Sequence, residues 1–238
     1  MADRAVGIPF AKEGIPFIGA AVGATLLAGW LGWMVAAVGA AFLTLFVSWF
    51  FRNPSRVVPQ GSRLVVASGD GKVVAIEEEF EPRFIKDRSI RISIFLNVFD
   101  VHINRVPCEG VIEDVQYQPG LFLVASKPDA TLRNEQNALM IRTAQGVKVL
   151  CVQVAGLIAR RIVCWISPGD RAVRGERFGL IRFGSRMDTF LPIGTAVRVA
   201  VGDRVKGGET ILGELPRNPW DFGNHSGRMG SGVKPPCT

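Results

Sequence analysis

The chain begins with a long apolar stretch and continues as short segments of alternating polarity. No charged residue occurs from Ile15 to Phe51. A single helix of that length would measure about 55 Å, well beyond a hydrocarbon core of about 30 Å. Glycine and tryptophan residues at positions 29–33 favour a break in the middle, so the pattern predicts a hairpin of two helices, roughly 16–27 and 33–49. The alternative is a hairpin buried in a protein core.

Basic residues flank this hairpin on both sides. Arg4 and Lys12 precede it, and Arg52, Arg56 and Arg63 follow it. Positive charge beside a membrane segment favours the cytoplasmic side, so both ends are expected there. A secretory signal peptide is not indicated, because the apolar run is too long and no small-residue cleavage site follows it.

After Pro59 the period of the pattern changes to that of short strands. Residues 90–96 alternate between apolar and polar or aromatic side chains, as in a half-buried strand. Similar runs are expected at 64–66, 72–76, 111–117, 138–143 and 147–154. The spacing predicts an all-β barrel or sandwich. A helical segment between Phe95 and Asn104 is left open.

A weak internal repeat strengthens this prediction. Residues 169–176 (GDRAVRGE) echo residues 202–209 (GDRVKGGE). Such hairpin-like half-motifs occur in barrel-sandwich domains of the biotinyl and lipoyl type. A carrier domain would present its lysine in a Met-Lys-Met turn, and the sequence has none, so the repeat is interpreted as architecture.

The expected fold class is therefore mainly β, with a barrel-sandwich-like catalytic domain preceded by a hydrophobic α-helical hairpin. The expected domains are a membrane-associating hairpin at 1–56, a β-rich domain at 57–215 and a flexible tail at 216–238. The tail is rich in glycine, proline and polar residues, and it contains His225, interpreted as a solvated histidine.

Composition and charge indicate an anionic lipid partner. The 238 residues are 48% hydrophobic, the mean hydropathy is +0.25 and the formal net charge is +7. Helix-turn-helix and zinc-finger spacings are missing, which favours lipid over nucleic acid. Some basic side chains are expected to face lipid headgroups or to form an ordinary solvated surface: Arg83, Lys86, Arg88 and Arg91.

The cysteine and histidine content limits the possible chemistry. The four cysteines contain no CxxC pair, so neither a zinc site nor a thioredoxin-type motif is supported: Cys108, Cys151, Cys164 and Cys237. They are expected to be reduced thiols. Of the two histidines, only His102 lies outside the tail.

Three polar sites combine into one chemical hypothesis. Asp70 lies in a Gly-flanked turn, Asp100 precedes His102 by two residues, and Gly184-Ser185 follows an apolar run with a charged segment after it. An imidazole can take the proton of a serine hydroxyl, and a carboxylate can orient the imidazole. Taken singly, each is more often a turn or a structural residue. Together they suggest a Ser/His/Asp site on a membrane-tethered β domain.

Five segments of the chain resemble the short, bacterial form of phosphatidylserine decarboxylase. They are residues 50–54 (FFRNP), 68–72 (SGDGK), 99–107 (FDVHINRVP), 155–161 (AGLIARR) and 175–186 (GERFGLIRFGSR). The last is the most specific, because long forms carry Leu-Gly-Ser-Thr where this chain has Phe-Gly-Ser-Arg. Long forms also have a second histidine where this chain has Arg105, so no role is transferred to that position.

The resemblance implies a cofactor that the protein makes from its own chain. Ser185 would attack the carbonyl of Gly184, and the chain would separate into a large chain 1–184 and a small chain beginning with a pyruvoyl group derived from Ser185. His102 would be the base, with Asp70 or Asp100 as the orienting carboxylate. The pyruvoyl ketone would form a Schiff base with phosphatidylserine, and decarboxylation would give phosphatidylethanolamine.

The implied partners are phosphatidylserine in the membrane and a heterodimer of the two chains, with a higher oligomer left open. Neither nucleic acid nor metal is expected, and the implied location is the cytoplasmic face of the inner membrane. Two other functions were weighed. A membrane-tethered adaptor would carry long helical heptads, and a serine hydrolase would carry a Gly-x-Ser-x-Gly elbow; the sequence has neither.

Overall fold

The computed structural model describes residues 9–120, 134–156, 162–181 and 184–217. Most of the predicted tail, with His225 and Cys237, lies outside the described residues. So do 157–161 of one quoted segment and the two residues that precede Gly184.

The N-terminal apolar stretch forms the predicted helical hairpin. A 3-10 turn, Lys12–Gly14, leads into α1, Ile15–Trp30, and α2 follows as Met34–Phe50. Gly32 has φ +73° in the turn between them, a conformation that glycine adopts without strain. The Thr25 and Thr44 hydroxyls meet at 3.1 Å between the helices.

The outer faces of both helices are exposed and apolar. Trp30 is 83% exposed at the tip of the hairpin, and Val35 is 90% exposed. This exposure does not fit the alternative of a hairpin buried in a core. Among the described residues, the segment Lys12–Trp30 is long and apolar enough to cross a membrane, and α2 is a shorter apolar helix.

Fourteen strands in the described part of the chain confirm the prediction of a mainly β fold. They are β1 Leu64–Val66, β2 Gly71–Glu81, β3 Asp87–Leu96, β4 Ile103–Arg105, β5 Gly110–Gln118, β6 Gln136–Arg142, β7 Lys148–Val154, β8 Ile162–Cys164, β9 Arg171–Ala172, β10 Arg177–Ile181, β11 Ser185–Pro192, β12 Ala196–Val197, β13 Arg204–Val205 and β14 Ile211–Glu214. The segment left open as helical is a turn between β3 and β4, closed by a hydrogen bond from the Asp100 N–H to the Asn97 carbonyl.

Eight strands form one antiparallel sheet in the order β13-β2-β3-β11-β7-β6-β5-β9. Two small sheets, β1-β14-β12 and β4-β10-β8, pack with it around a common apolar core. Strand β11 lies in the middle of the large sheet, with β3 on one side and β7 on the other. Residue 185 therefore begins a central strand rather than an edge.

The internal repeat holds the two edges of the large sheet in the same way. In each copy the N–H of the glycine donates to the carbonyl of one strand residue at 2.8 Å. The N–H of that same strand residue donates to the main-chain carbonyl of the aspartate at 2.9 Å. The pairs are Gly169 and Asp170 with Ile112, and Gly202 and Asp203 with Val73. The repeat thus attaches β9 to β5 and β13 to β2.

The charged segment that follows Ser185 in the sequence forms a buried strand and not an exposed one. Arg186 and Asp188 are 2% and 0% exposed, and the guanidinium donates two hydrogen bonds of 2.9 Å to the carboxylate. Alternate residues of a strand share one face, so this pair neutralises its own charges inside the sheet. A charge pattern in the sequence alone could not distinguish this arrangement from a surface segment.

Candidate active site

The site forms where three parts of the chain meet: the end of β3, the start of β11 and the end of α2. Ser185 pairs with Leu96, the last residue of β3. The turn that follows carries His102, and the Ile181 N–H donates to the His102 carbonyl at 3.3 Å. The ring of Phe50, at the end of α2, lies 4.3 Å from the imidazole, centroid to centroid.

His102 is fully buried, and its hydrogen bonds define its tautomer. Nδ1 lies 3.0 Å from the main-chain carbonyl of Asp100. A carbonyl only accepts, so Nδ1 carries the proton and Nε2 carries a lone pair. The Gly184 N–H donates to that Nε2 at 3.4 Å. The basic nitrogen therefore faces the peptide segment that leads into Ser185.

The surroundings of His102 keep it neutral. The pKa of the imidazole is lowered to about 4, chiefly by burial and in smaller part by the positive charge of Arg52, whereas the bond to the Asp100 carbonyl raises it. The Phe50 ring, itself only 1% exposed, is one of the apolar groups that exclude water. The ring can therefore accept a proton throughout the physiological pH range.

Ser185 is buried at the start of β11, and its hydroxyl has no hydrogen-bond partner among the described residues. A buried polar group without a partner is destabilising, which makes such a hydroxyl a strong candidate for a functional group. Gly184 has φ +61°, and among the described residues, its chain neighbours apart, nothing lies within 4 Å of the position where a Cβ would be. The Gly184 backbone is thus in a glycine conformation with open space beside it.

The carboxylate of Asp100 does not orient the imidazole. It accepts hydrogen bonds from the Asn97 N–H at 2.9 Å and from Arg204 at 2.7 Å. Its carbonyl makes the contact with His102 instead. The ring is oriented by the shape of the turn, which the carboxylate stabilises.

Asp70 also makes no contact with His102 in the described part of the chain. Its carboxylate accepts from Arg56 at 2.7 Å and from the Gly207 N–H at 2.8 Å. Burial raises the pKa of this carboxyl above its ordinary value despite the charge of Arg56. The structure thus gives each predicted carboxylate an arginine partner, and a direct role in orienting His102 has no geometric support.

Arg105, at the position of the second histidine of long forms, ties the end of the hairpin to the repeat. It donates to the Gly175 carbonyl at 2.7 Å and to the Pro54 carbonyl at 2.8 Å. Burial and the charges of Arg177 and Arg56 lower the pKa of Arg105 to about 10, so the side chain stays charged at neutral pH. These contacts make it a structural cation.

Two residues at the site were not predicted, Phe50 and Arg52. Both lie in the quoted segment 50–54, but the sequence indicated only that Arg52 marks a side of the membrane. Their position beside His102 depends on how the hairpin packs on the β domain, through a cluster that includes Phe50, Phe51 and Val101. Contacts of this kind leave no periodic signal in the sequence.

Two of the basic residues expected to face headgroups or solvent, Arg88 and Arg91, lie away from the site. Arg91 is 8% exposed and pairs with Glu77 and Glu79, so it is not available to lipid. Arg88 pairs with Glu78 near the start of β3. At ~3.4 Å per residue, these side chains lie about 17–27 Å along the strand from its Leu96 end, where the site is.

Within the ranges that the structure describes, no three His, Cys, Asp or Glu side chains come together as a metal site would require. Cys108 and Cys151 are buried, and burial raises the pKa of each thiol to about 12. Neither thiol is activated as a nucleophile.

Comparison with known proteins agrees with the sequence resemblance. A sequence model described as phosphatidylserine decarboxylase matches residues 43–213. The chain is 48% identical over 206 residues to the phosphatidylserine decarboxylase proenzyme of Syntrophus aciditrophicus, covering 85% of this chain and 96% of the relative.

Two further relatives carry the same name. The proenzyme of Nitrosomonas europaea is 49% identical over 206 residues, covering 86% of this chain and 94% of the relative. That of Geotalea uraniireducens is 49% identical over 208 residues, covering 87% and 97%. The similarity thus extends over nearly the whole of each relative and includes every residue of the site described above from Phe50 to Arg204.

Proposed function

Because the chain belongs to the phosphatidylserine decarboxylase family, an enzyme family of carboxy-lyases, we propose that it cuts itself between Gly184 and Ser185 and then converts phosphatidylserine to phosphatidylethanolamine and CO₂. The observation that carries this proposal is the buried hydroxyl of Ser185, which has no hydrogen-bond partner among the described residues and follows Gly184, whose N–H faces the lone pair of a neutral histidine. The word proenzyme in the relatives' names supports a processing step.

The first step is an acyl shift within the chain. The Ser185 hydroxyl attacks the carbonyl carbon of Gly184, and His102 Nε2 takes the hydroxyl proton. That proton passes to the peptide nitrogen, and the C–N bond breaks. Gly184 is then esterified to the serine side chain, and residue 185 has a free amino group.

The second step separates the chains. Loss of the α-proton of residue 185, which we also assign to His102 Nε2, expels the Gly184 carboxylate and leaves a dehydroalanine. Its enamine tautomerises to an imine, and water replaces the nitrogen, releasing ammonia. The new N-terminus of the small chain is a pyruvoyl group.

The residues present fit this group, because the α-carbon of residue 185 would become the ketone and its hydroxyl-bearing β-carbon a methyl group, which removes a buried hydroxyl that has no hydrogen-bond partner among the described residues. The pyruvoyl group would supply a ketone that forms a Schiff base with the serine amine of the substrate and takes up the electron pair left by CO₂. His102 Nε2 is the proton carrier beside it, and the turn 97–102 holds that nitrogen in place. Phe50 excludes water from the same space.

The fold explains why two chains would stay together after the cut. Strand β10 belongs to a small sheet and β11 to the large one, so cleavage at 184/185 interrupts no strand ladder. Strand β11 remains paired with β3 and β7 through eight and five residue pairs. The small chain therefore could leave only by opening the centre of the sheet, and we propose a heterodimer of chains 1–184 and 185–238.

We assign the enzyme to the cytoplasmic face of the inner membrane, with the hairpin in the bilayer. The acyl chains of the substrate stay in the membrane, so its headgroup must reach a site at the membrane surface. The exposed apolar faces of α1 and α2 support this placement, as does the contact of Phe50 with His102 at the end of the hairpin. The domain division is then hairpin 1–56, catalytic domain 57–215 and tail 216–238.

The test is intact-mass spectrometry of the purified protein together with a decarboxylation assay on phosphatidylserine in mixed micelles. We expect two chains that meet at 184/185, a small chain whose mass fits a pyruvoyl N-terminus, and CO₂ release. Ser185→Ala should abolish cleavage and activity together. Ser185→Cys should retain slow cleavage, because a thiol can make the same acyl shift.

The matched control is Ser89→Ala, since Ser89 is equally buried on the neighbouring strand β3. It should cut and decarboxylate like the wild type. Decarboxylation by an uncut Ser185→Ala protein would refute the pyruvoyl proposal. An intact wild-type chain from active material would refute it too.

A further inference from the structure

We propose that Arg52 binds the phosphodiester group of the phosphatidylserine headgroup and so fixes the lipid beside His102. This inference rests on the proposed function and assigns a substrate contact within it.

The backbone holds Arg52 firmly where the hairpin meets the β domain. Arg52 pairs with Phe10 in an isolated antiparallel bridge, and the next residue donates its N–H to the Pro9 carbonyl at 2.7 Å. The guanidinium carbon lies 4.3 Å from the ring centroid of Trp49, which is 56% exposed. Tryptophan favours the level of lipid headgroups, so this arrangement places the cation at phosphate depth.

The same guanidinium touches the turn that carries the catalytic histidine. Nη2 donates to the Phe99 carbonyl at 2.8 Å, and Nη1 donates to the Trp49 carbonyl at 2.9 Å. The Phe99 side chain is 64% exposed and packs edge-on against Phe46 of α2, with 6.4 Å between centroids. Arg52 therefore links the lipid-facing helix to the turn that orients His102.

Arg56 and Arg204 pair with the two aspartates near the site, whereas Arg52 pairs with no carboxylate among the described residues. Asp70 pairs with Arg56 and Asp100 with Arg204, each at 2.7 Å. Arg52 has no carboxylate within 4.0 Å among the described residues, although both aspartates act on it at longer range. Two of the five N–H groups of a guanidinium are used by the carbonyls, and the others remain for an anion.

The substrate offers two anionic groups, and the reaction distinguishes between them. The carboxylate leaves as CO₂, so a cation bound to it would stabilise the ground state and slow the reaction. The phosphodiester keeps its charge throughout and is separated from the reacting carbon by one oxygen and one methylene group. Binding it lowers KM without opposing the chemistry, and a guanidinium matches its geometry.

The experiment compares processed wild type, Arg52→Gln and Arg52→Lys in detergent mixed micelles, where bulk vesicle binding does not contribute. For Arg52→Gln we expect complete self-cleavage, a KM for phosphatidylserine raised about 10–100-fold, and kcat changed less than about threefold. Arg52→Lys should give a smaller rise. The control Arg198→Gln removes an exposed arginine that pairs with Glu214 and should leave KM unchanged.

Product inhibition separates the two anionic groups. Phosphatidylethanolamine retains the phosphodiester and lacks the carboxylate, so its inhibition constant should rise by the same factor as KM in Arg52→Gln. An unchanged inhibition constant would overturn the proposal, because Arg52 would then bind the carboxylate. An unchanged KM would overturn it as well.

A second measurement covers the case in which Arg52→Gln is cut poorly. In the uncut Ser185→Ala background, Arg52→Gln should weaken binding of monomeric dihexanoylphosphatidylethanolamine about tenfold or more by titration calorimetry. Equal affinity in the two proteins would overturn the proposal. Failure of the proposed function is distinguishable, since wild-type protein would then show neither cleavage nor CO₂ release.

Discussion

Replacing Phe50 with alanine tests whether the membrane hairpin controls the basicity of His102. The Phe50 ring is 1% exposed and lies 4.3 Å from the imidazole. Removing it opens a path for water to a ring whose pKa is lowered to about 4 chiefly by burial. The expected result is a rise in the pKa of His102 toward its ordinary value near 6.5.

The size of the effect follows from that difference. At pH 5.5 a group of pKa about 4 is ~97% neutral, whereas a group of pKa about 6.5 is only ~9% neutral. If self-cleavage needs neutral His102, the Phe50→Ala proenzyme should cut about tenfold more slowly at pH 5.5 than at pH 8. The wild type should cut at nearly the same rate at both values. The substitution also leaves a cavity, which costs ~3–5 kcal/mol of stability.

The assay follows cleavage of freshly translated proenzyme by gel electrophoresis from pH 4 to pH 8. Phe51→Ala is the matched control, because Phe51 is equally buried at the same junction but stacks on Phe17 rather than on His102. Phe50→Leu restores apolar cover and should restore the flat profile. If the cleavage rate of Phe50→Ala falls only below pH 5, as in the wild type, the reasoning is refuted, whatever the absolute rate is.

Three other predictions concern stability. In the uncut Ser185→Ala protein, the free energy of unfolding measured by urea denaturation should fall by up to ~3 kcal/mol as the pH falls from 6.5 to 4. The cause is His102, because its imidazole takes up a proton near pH 6.5 in the unfolded chain and only near pH 4 in the folded chain. Asp188→Asn should lower the free energy of unfolding by ~3–5 kcal/mol, since it removes the carboxylate charge that pairs with the buried Arg186 guanidinium. Gly71→Ala and Gly110→Ala should each be strongly destabilising, because the new Cβ would lie 2.1 and 2.2 Å from a carbonyl oxygen of the neighbouring strand.

Each of these predictions has a matched control. His102→Gln in the Ser185→Ala background should remove the acid-dependent loss assigned to the imidazole. Glu78→Gln breaks an exposed ion pair with Arg88 and should change stability by less than ~1 kcal/mol. Gly146→Ala meets no atom within 4 Å but has φ +78°, so it should cost only ~1 kcal/mol from backbone strain. Equal effects in test and control variants would contradict the assignments.

The alternation of residues 90–96 marked β3 as a strand, and the long uncharged run marked both helices. The prediction that β3 is half-buried was wrong, because both of its faces are buried and Arg91 pairs there with Glu77 and Glu79. The pattern also failed at β11, where both faces are buried and Arg186 and Asp188 pair inside the sheet. Pairing between side chains has no sequence period and needs the fold to show it.

The roles of Ser185 and His102 stay predictions, and the contacts around them could not be predicted from the sequence. The Gly184 N–H meets His102 Nε2, and Nδ1 of the imidazole is held by a carbonyl of the turn 97–102 rather than by a carboxylate. The Asp100 carboxylate stabilises that turn by accepting a hydrogen bond from the Asn97 N–H. A sequence lists side chains and gives little sign of which main-chain atom will do the orienting.

The two copies of the repeat differ in how they hold the acidic residue beside them. Gly71 and Gly110 occupy equivalent places at the starts of β2 and β5, so Asp70 and Glu109 are counterparts. Asp70 is bound by the Gly207 N–H at 2.8 Å and by Arg56 at 2.7 Å, whereas Glu109 meets Arg174 at 3.6 Å and its side chain is 57% exposed.

Arg56 belongs to the segment that leaves the hairpin, so the copy that the hairpin reaches is the one whose carboxylate is buried and fixed. Arg105 also connects the β domain to the segment that leaves the hairpin, because it donates to the Pro54 carbonyl. The hairpin thus does more than place the enzyme at a membrane. Through Phe50, Arg52 and Arg56 it makes one half of a repeated scaffold different from the other, and the cleavage site lies on that half.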